Sequence, residues 1–163
     1  MATKKTTTPF VIADALIGAY ATNNRINLYL VQNLPDAAWR AEPPSGKGRA
    51  IASMVAHIHN VRLMWLKAAG VTTLPAKLDP ESVTKQQAIQ SLEQSWKALE
   101  DALRLSVNGD GKIKGFKPDA VSFFAYLVAH DAHHRGQITM LARQLGHSVS
   151  KSVMFGMWEW GTR

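Results

Sequence analysis

Residues 118–145 read PDAVSFFAYLVAHDAHHRGQITMLARQL. Phe123, Leu127, Ile138, Leu141 and Leu145 recur at helical spacing and make one apolar stripe. Pro118 suits a helix start, and Gly146 follows the last stripe residue as helix-ending glycines do. Two histidines interrupt this stripe. At about 100° of rotation per residue, His130 and His134 stand about 40° apart and fall in its middle. His133 lies about 100° from His134, at the stripe's border. Two imidazoles one turn apart on a buried face are costly unless their nitrogens find partners. A divalent metal supplies such a partner, because i, i+4 spacing lets two ring nitrogens converge on one ion. The alternative is a pair of core histidines bonded to backbone or neighbouring polar groups.

Three more amphipathic helices precede this one. The first covers residues 11–33 with Ile12, Leu16, Tyr20, Leu30, Val31 and Leu34 on its stripe, and Pro35 stops it. After a Pro- and Gly-rich loop at 43–48, the second covers 50–69, with Ile51, Met54, Ile58, Val61 and Trp65 inward and Gly70 at its end. The third starts near Asp79-Pro80-Glu81, carries Ile89, Leu92, Trp96, Leu99 and Leu103, and ends at Asn108-Gly109-Asp110-Gly111. The linker at 71–78 is long enough to cross over instead of forming a tight hairpin. Strand-like alternation is absent, so the chain reads as an all-α four-helix bundle. A short segment at 154–160 is too aromatic to be left in water and is expected to pack back on the bundle. The domain reading is a flexible arm at 1–9 followed by one domain at 10–163.

A third ligand has to come from another helix. His57 sits beside Met54, Val61 and Met64 at the edge of the second helix's apolar face, which makes it the candidate. His59, about 200° away, is expected at the surface, and His147 in the loop after Gly146 is expected to be solvated. Asn23 and Asn27 fall within the first helix's stripe, and Gln137 falls beside the histidines. These amides, with His133, are candidates to orient ligands or a bound water, or else to bond one another across helices.

Composition narrows the chemistry. With 46% hydrophobic and 19% charged residues in 163, the chain can bury an ordinary core. It has no cysteine, which excludes disulfides, thiolate zinc sites and cysteine nucleophiles. Asp14 breaks the apolar run at 10–21, so the start does not read as a secretory signal, and no stretch approaches the roughly 20 apolar residues of a membrane span. A cytoplasmic protein is the expectation. The net charge of +7 is scattered, with no basic run longer than Lys4-Lys5, which argues against nucleic-acid binding.

The run His130-Asp131-Ala132-His133-His134-Arg135-Gly136-Gln137-Ile138 resembles the H-x-x-x-H-R-G-Q signature of the DinB family. Val55-Ala56-His57-Ile58, with Trp65 eight residues after the histidine, resembles the family's second-helix motif. Met154-Phe155-Gly156-Met157-Trp158-Glu159-Trp160 is similar to its aromatic Gly-x-Trp-Glu ending. The resemblance implies a DinB/YfiT-like metalloenzyme fold, usually dimeric, whose divalent-metal ligands match His57, His130 and His134. It further implies a small-molecule substrate and a transferase using a low-molecular-weight thiol such as bacillithiol, mycothiol or glutathione, or a related hydrolase using metal-bound water. Imidazole ligands suit zinc, nickel, iron and copper alike. The competing readings are a stress-associated binding or regulatory protein with a structural metal, and a nucleic-acid-associated protein.

Overall fold

Among the described residues six helices account for the architecture, and their ends follow local chemistry. The structure is a computed structural model that describes residues 9–163; the arm expected over 1–9 lies outside the described residues apart from Pro9. Helix α1 spans Ile12–Asn33, the single turn α2 spans Asp36–Trp39, and α3 spans Ile51–Ala69. Gly70 closes α3 in the left-handed region at φ 94°, with its N–H returned to the carbonyls of Leu66 and Lys67. Helix α4 spans Lys85–Asn108, starting later than the Asp79-Pro80 pattern predicts. Thr84 and Gln87 form a reciprocal capping box there, which satisfies two helix-end N–H groups at once and outcompetes Asp79. Asp79 instead holds a turn, accepting from the Glu81 N–H at 3.1 Å and the Ser82 hydroxyl at 2.6 Å. Helix α5 spans Ala120–Gln144 behind an Asp119 cap, and α6 spans Lys151–Gly156 behind a Ser150 cap.

The four long helices form a ring in which α1 and α3 each pack against both α4 and α5. Cross-helix pairs fix the directions. Asp14–Arg104 and Tyr20–Trp96 run α1 antiparallel to α4, whereas Ile51 and Ile58 cluster with Ala88 and Leu92, and Leu63 and Leu66 with Leu99 and Leu103, so α3 and α4 point the same way. Parallel neighbours need a connection that returns along their full length. Residues 70–84 make that return, fastened to α3 at successive points. His59 donates from Nε2 to the Ala76 carbonyl at 2.9 Å. Asn60 exchanges two hydrogen bonds with the Leu78 backbone, and Ser53 donates to the Pro80 carbonyl. His59 is thus wholly buried, contrary to the surface position that helical phase predicts. The buried arc of α3 is centred on Val55, His59, Arg62 and Leu66, and two polar members hide that centre from a hydrophobicity pattern.

On α1 the same kind of shift occurs. Ile12 is 71% exposed, and the stripe is carried by Ile17 and Tyr20. The C-terminal segment does pack on the bundle, through Val153 in the core and Gly156 against Tyr29. A Cβ at Gly156 would stand 2.7 Å from the Tyr29 hydroxyl, so that approach needs glycine. Phe155 and Trp158 nevertheless face outward. No helix among the described residues is long and apolar enough to cross a membrane.

A polar layer divides the core. One apolar cluster contains Leu30, Ile51, Ile58, Leu92 and Ile138, and the other contains Tyr20, Leu63, Leu99, Phe123 and Leu127. Between them, on every long helix, lie Asn23, Asn24, Asn27, Arg62, Ser95 and Asp131, all buried. Arg62 and Asp131 form an ion pair at 2.8 Å. Burial alone would raise the Asp131 pKa, but Arg62 and the hydrogen bonds outweigh it and lower it from 3.8 to about 2. A carboxylate with a depressed pKa contributes stability above its unfolded pKa and loses it as the folded pKa is approached. Asp131→Asn leaves Arg62 buried without its counter-charge and should cost about 3–5 kcal/mol at neutral pH. The gap in unfolding free energy between wild type and Asp131→Asn should narrow as pH falls from about 4 to about 2. Urea titrations across that range check it, and a gap independent of pH would refute a charged Asp131.

Candidate metal centre

Helix α5 carries His130 and His134 one turn apart, and α3 brings His57 to the same point, with donor atoms all within 4.8 Å of one another. The ring centroids are separated by 4.5 Å for His130–His134, 4.8 Å for His57–His134 and 5.3 Å for His57–His130. The two α5 rings point their Nε2 atoms at each other across 3.2 Å. Two nitrogens on a tetrahedral zinc at about 2.05 Å stand about 3.3 Å apart, so this pair already has ligand spacing. Neutral imidazoles suit the borderline-soft divalent metals, and the trio could hold one.

The surroundings favour the neutral form of His57 and His134 and aim the latter. Burial lowers the pKa of His57 to about 4, reinforced by Arg49 and by the other two histidines. Burial likewise lowers His134, against the opposing hydrogen bond to Gln137. His134 Nδ1 donates to Gln137 Oε1 at 2.8 Å, which leaves Nε2 as the free lone pair. Gln137 is therefore an orienting group, although it lies on the exposed rim of α5 and not on its inner face. Tyr126, one turn before His130, stacks on that ring at 5.9 Å and 25°.

Asn23 and Asn27, expected near the ligands or a bound water, touch none of the three clustered histidines. Both donate to Asp131 Oδ2, at 2.7 and 2.9 Å, and Asn27 accepts from Arg135 at 2.6 Å. They project into the polar layer, which needs them more than the rim does: a buried carboxylate and guanidinium leave many donors and acceptors to satisfy. His133 is exposed and reaches the site only as an edge contact on His134, with centroids 5.0 Å apart. Sequence reasoning passed over Asp131 and Arg62. Their signal is helical phase, since Asp131 shares the face of Leu127 and Ile138, and Arg62 that of Val55 and Leu66.

Comparison with known proteins agrees with the helical fold. The model of the DinB family matches residues 2–158, and the chain belongs to that family. The structure is similar to the crystal structure of a protein from Exiguobacterium sibiricum 255-15 described as a candidate member of the DinB family. The two are 20% identical with a TM-score of 0.61, over 90% of this chain and 99% of the other. At that identity the likeness concerns the fold. No curated protein matches the chain significantly.

Replacing any one of His57, His130 and His134 with alanine should weaken zinc uptake by more than the roughly 10–100-fold typical of losing an outer partner. His133→Ala and His147→Ala should leave uptake unchanged. His59→Ala should lower the melting temperature by freeing the linker while the metal stoichiometry stays intact. Calorimetric titration of metal-stripped protein checks these outcomes, and equal losses in all the variants would dismantle the assignment.

Proposed function

We propose that this DinB-family protein binds one divalent metal through His57, His130 and His134 and acts as a transferase of low-molecular-weight thiols. One observation carries the catalytic reading over a structural metal. Among the described residues, the three histidines form the complete donor cluster, with no fourth cysteine, aspartate or glutamate within reach. Three protein ligands leave a coordination position for a small molecule, whereas structural sites close all four. When bound, such an ion supplies Lewis acidity that lowers the pKa of a coordinated thiol or water toward neutrality.

The chain's own residues would do the rest. His57 lines a surface cavity of about 310 Å³ with Arg49, Ser53, Asn60, Pro80 and Glu81, which gives that histidine an approach from solvent. Arg49 makes no ion pair among the described residues, although Glu81 lines the same cavity. A free guanidinium there suits a thiol that carries carboxylates, because its fork pairs with them bidentately. The lack of cysteine fits a thiol supplied from outside the chain and a reducing cytoplasm. Exposed Phe155 and Trp158 support a homodimer that covers them.

Cobalt-loaded protein should develop a thiolate charge-transfer band when a carboxylate-bearing thiol such as glutathione is added. Arg49→Ala should raise the thiol concentration needed for that change without altering cobalt uptake. A fully cobalt-loaded protein whose spectrum responds to no thiol in a panel would refute the transferase reading and leave a structural metal.

A further inference from the structure

Asp131 is buried in the polar layer, and its two carboxylate oxygens stand in opposite situations. Oδ2 accepts from Asn23 at 2.7 Å, Arg62 at 2.8 Å and Asn27 at 2.9 Å, with the Tyr20 hydroxyl at 3.4 Å. Oδ1 is fully enclosed and has no hydrogen-bond partner. A buried carboxylate oxygen without a donor is a costly vacancy in a layer otherwise rich in donors. His130 Nδ1 stands 4.0 Å from it.

The proton count on the histidines explains that gap. His134 gives its Nδ1 proton to Gln137, so its Nε2 is bare. The 3.2 Å contact between the two Nε2 atoms is then a hydrogen bond only if His130 carries its proton on Nε2. That tautomer turns a bare Nδ1 toward Asp131 Oδ1, and two acceptors stand apart. With both Nε2 lone pairs given to a bound cation, His130 would keep its proton on Nδ1, which faces an oxygen that lacks a donor. Nδ1 would then be the donor of a charge-assisted hydrogen bond to Asp131 Oδ1.

We infer that Asp131 positions His130 as an Nε2 metal ligand by accepting the Nδ1 proton at its free Oδ1. This rests on the metal-binding reading of the three histidines. Asp131 is suited to the task because Asn23 and Asn27 from α1 and Arg62 from α3 clamp its other oxygen. It is the counterpart for His130 of what Gln137 is for His134, with a full charge in place of an amide dipole.

Asp131→Asn separates this role from simple charge balance. The three Oδ2 donors require the amide oxygen to face them, so the NH2 group replaces Oδ1 and donates to His130 Nδ1. His130 is then held in the tautomer that cannot ligate through Nε2. Zinc affinity should fall about 10–100-fold in Asp131→Asn. It should fall equally in Arg62→Met/Asp131→Asn, which removes both buried charges and safeguards folding. Asn24→Ala, which loosens the same layer at Arg62 without touching Asp131, should lower stability yet keep wild-type zinc affinity. Long-range proton–nitrogen NMR of zinc-loaded wild type should show His130 protonated at Nδ1. Wild-type zinc affinity in the double variant, or His130 protonated at Nε2 in the zinc-loaded protein, overturns the inference while leaving the metal site standing. A wild-type protein that takes up no zinc overturns both.

Discussion

The ion pair between Arg62 and Asp131 is the constraint around which the bundle is arranged. Both groups are out of water, and neither is tolerable there alone. Arg62 therefore recruits Asn24, Ser95 and the Leu92 carbonyl, while Asp131 recruits Asn23 and Asn27. The pair itself joins α3 to α5 and these partners come from α1 and α4, so satisfying it fixes the rotation and height of all four long helices. Apolar packing above and below supplies most of the driving force but tolerates sliding. A hydrogen-bonded polar layer does not, because a displacement of one residue would strand buried charges.

That layer also determines where the histidines can meet. Asp131 sits next to His130 in the chain, and Arg62 lies five residues after His57, so the registration of α3 against α5 carries the three rings together. The returning linker works on the same helix from outside. By fastening Ala76, Leu78 and Pro80 to His59, Asn60 and Ser53, it builds one wall of the cavity beside His57. His57 and His59, two positions apart, thus have unrelated duties, one facing the other imidazoles and one holding backbone.

The four long helices and the three converging histidines were legible because apolar periodicity and i, i+4 spacing are local signals. Two things were not. The buried faces of α1 and α3 were displaced from the apparent stripes, since their centres are polar: Asn24, His59 and Arg62 look like solvent residues until their partners are known. The start of α4 was a contest between two capping patterns, and only Thr84 with Gln87 satisfies two N–H groups together. In both cases the deciding partner is remote in sequence or depends on backbone geometry, so composition alone carries no trace of it.

The order of the helices has a consequence for how the protein forms. The α5 histidines are neighbours on one turn and come together as soon as that helix does, but His57 joins only when distant chain segments have associated. The contacts from Asn23 and Asn27 to Asp131 close loops of 108 and 104 residues. The α3–α4 pairing must wait for the linker to double back along the helix it leaves. Such non-local closures are entropically slow compared with helix formation. Completion of the polar layer and completion of the three-histidine cluster are therefore late and nearly simultaneous events, so a chain able to grip a metal with all three rings is one whose core has already been checked for register.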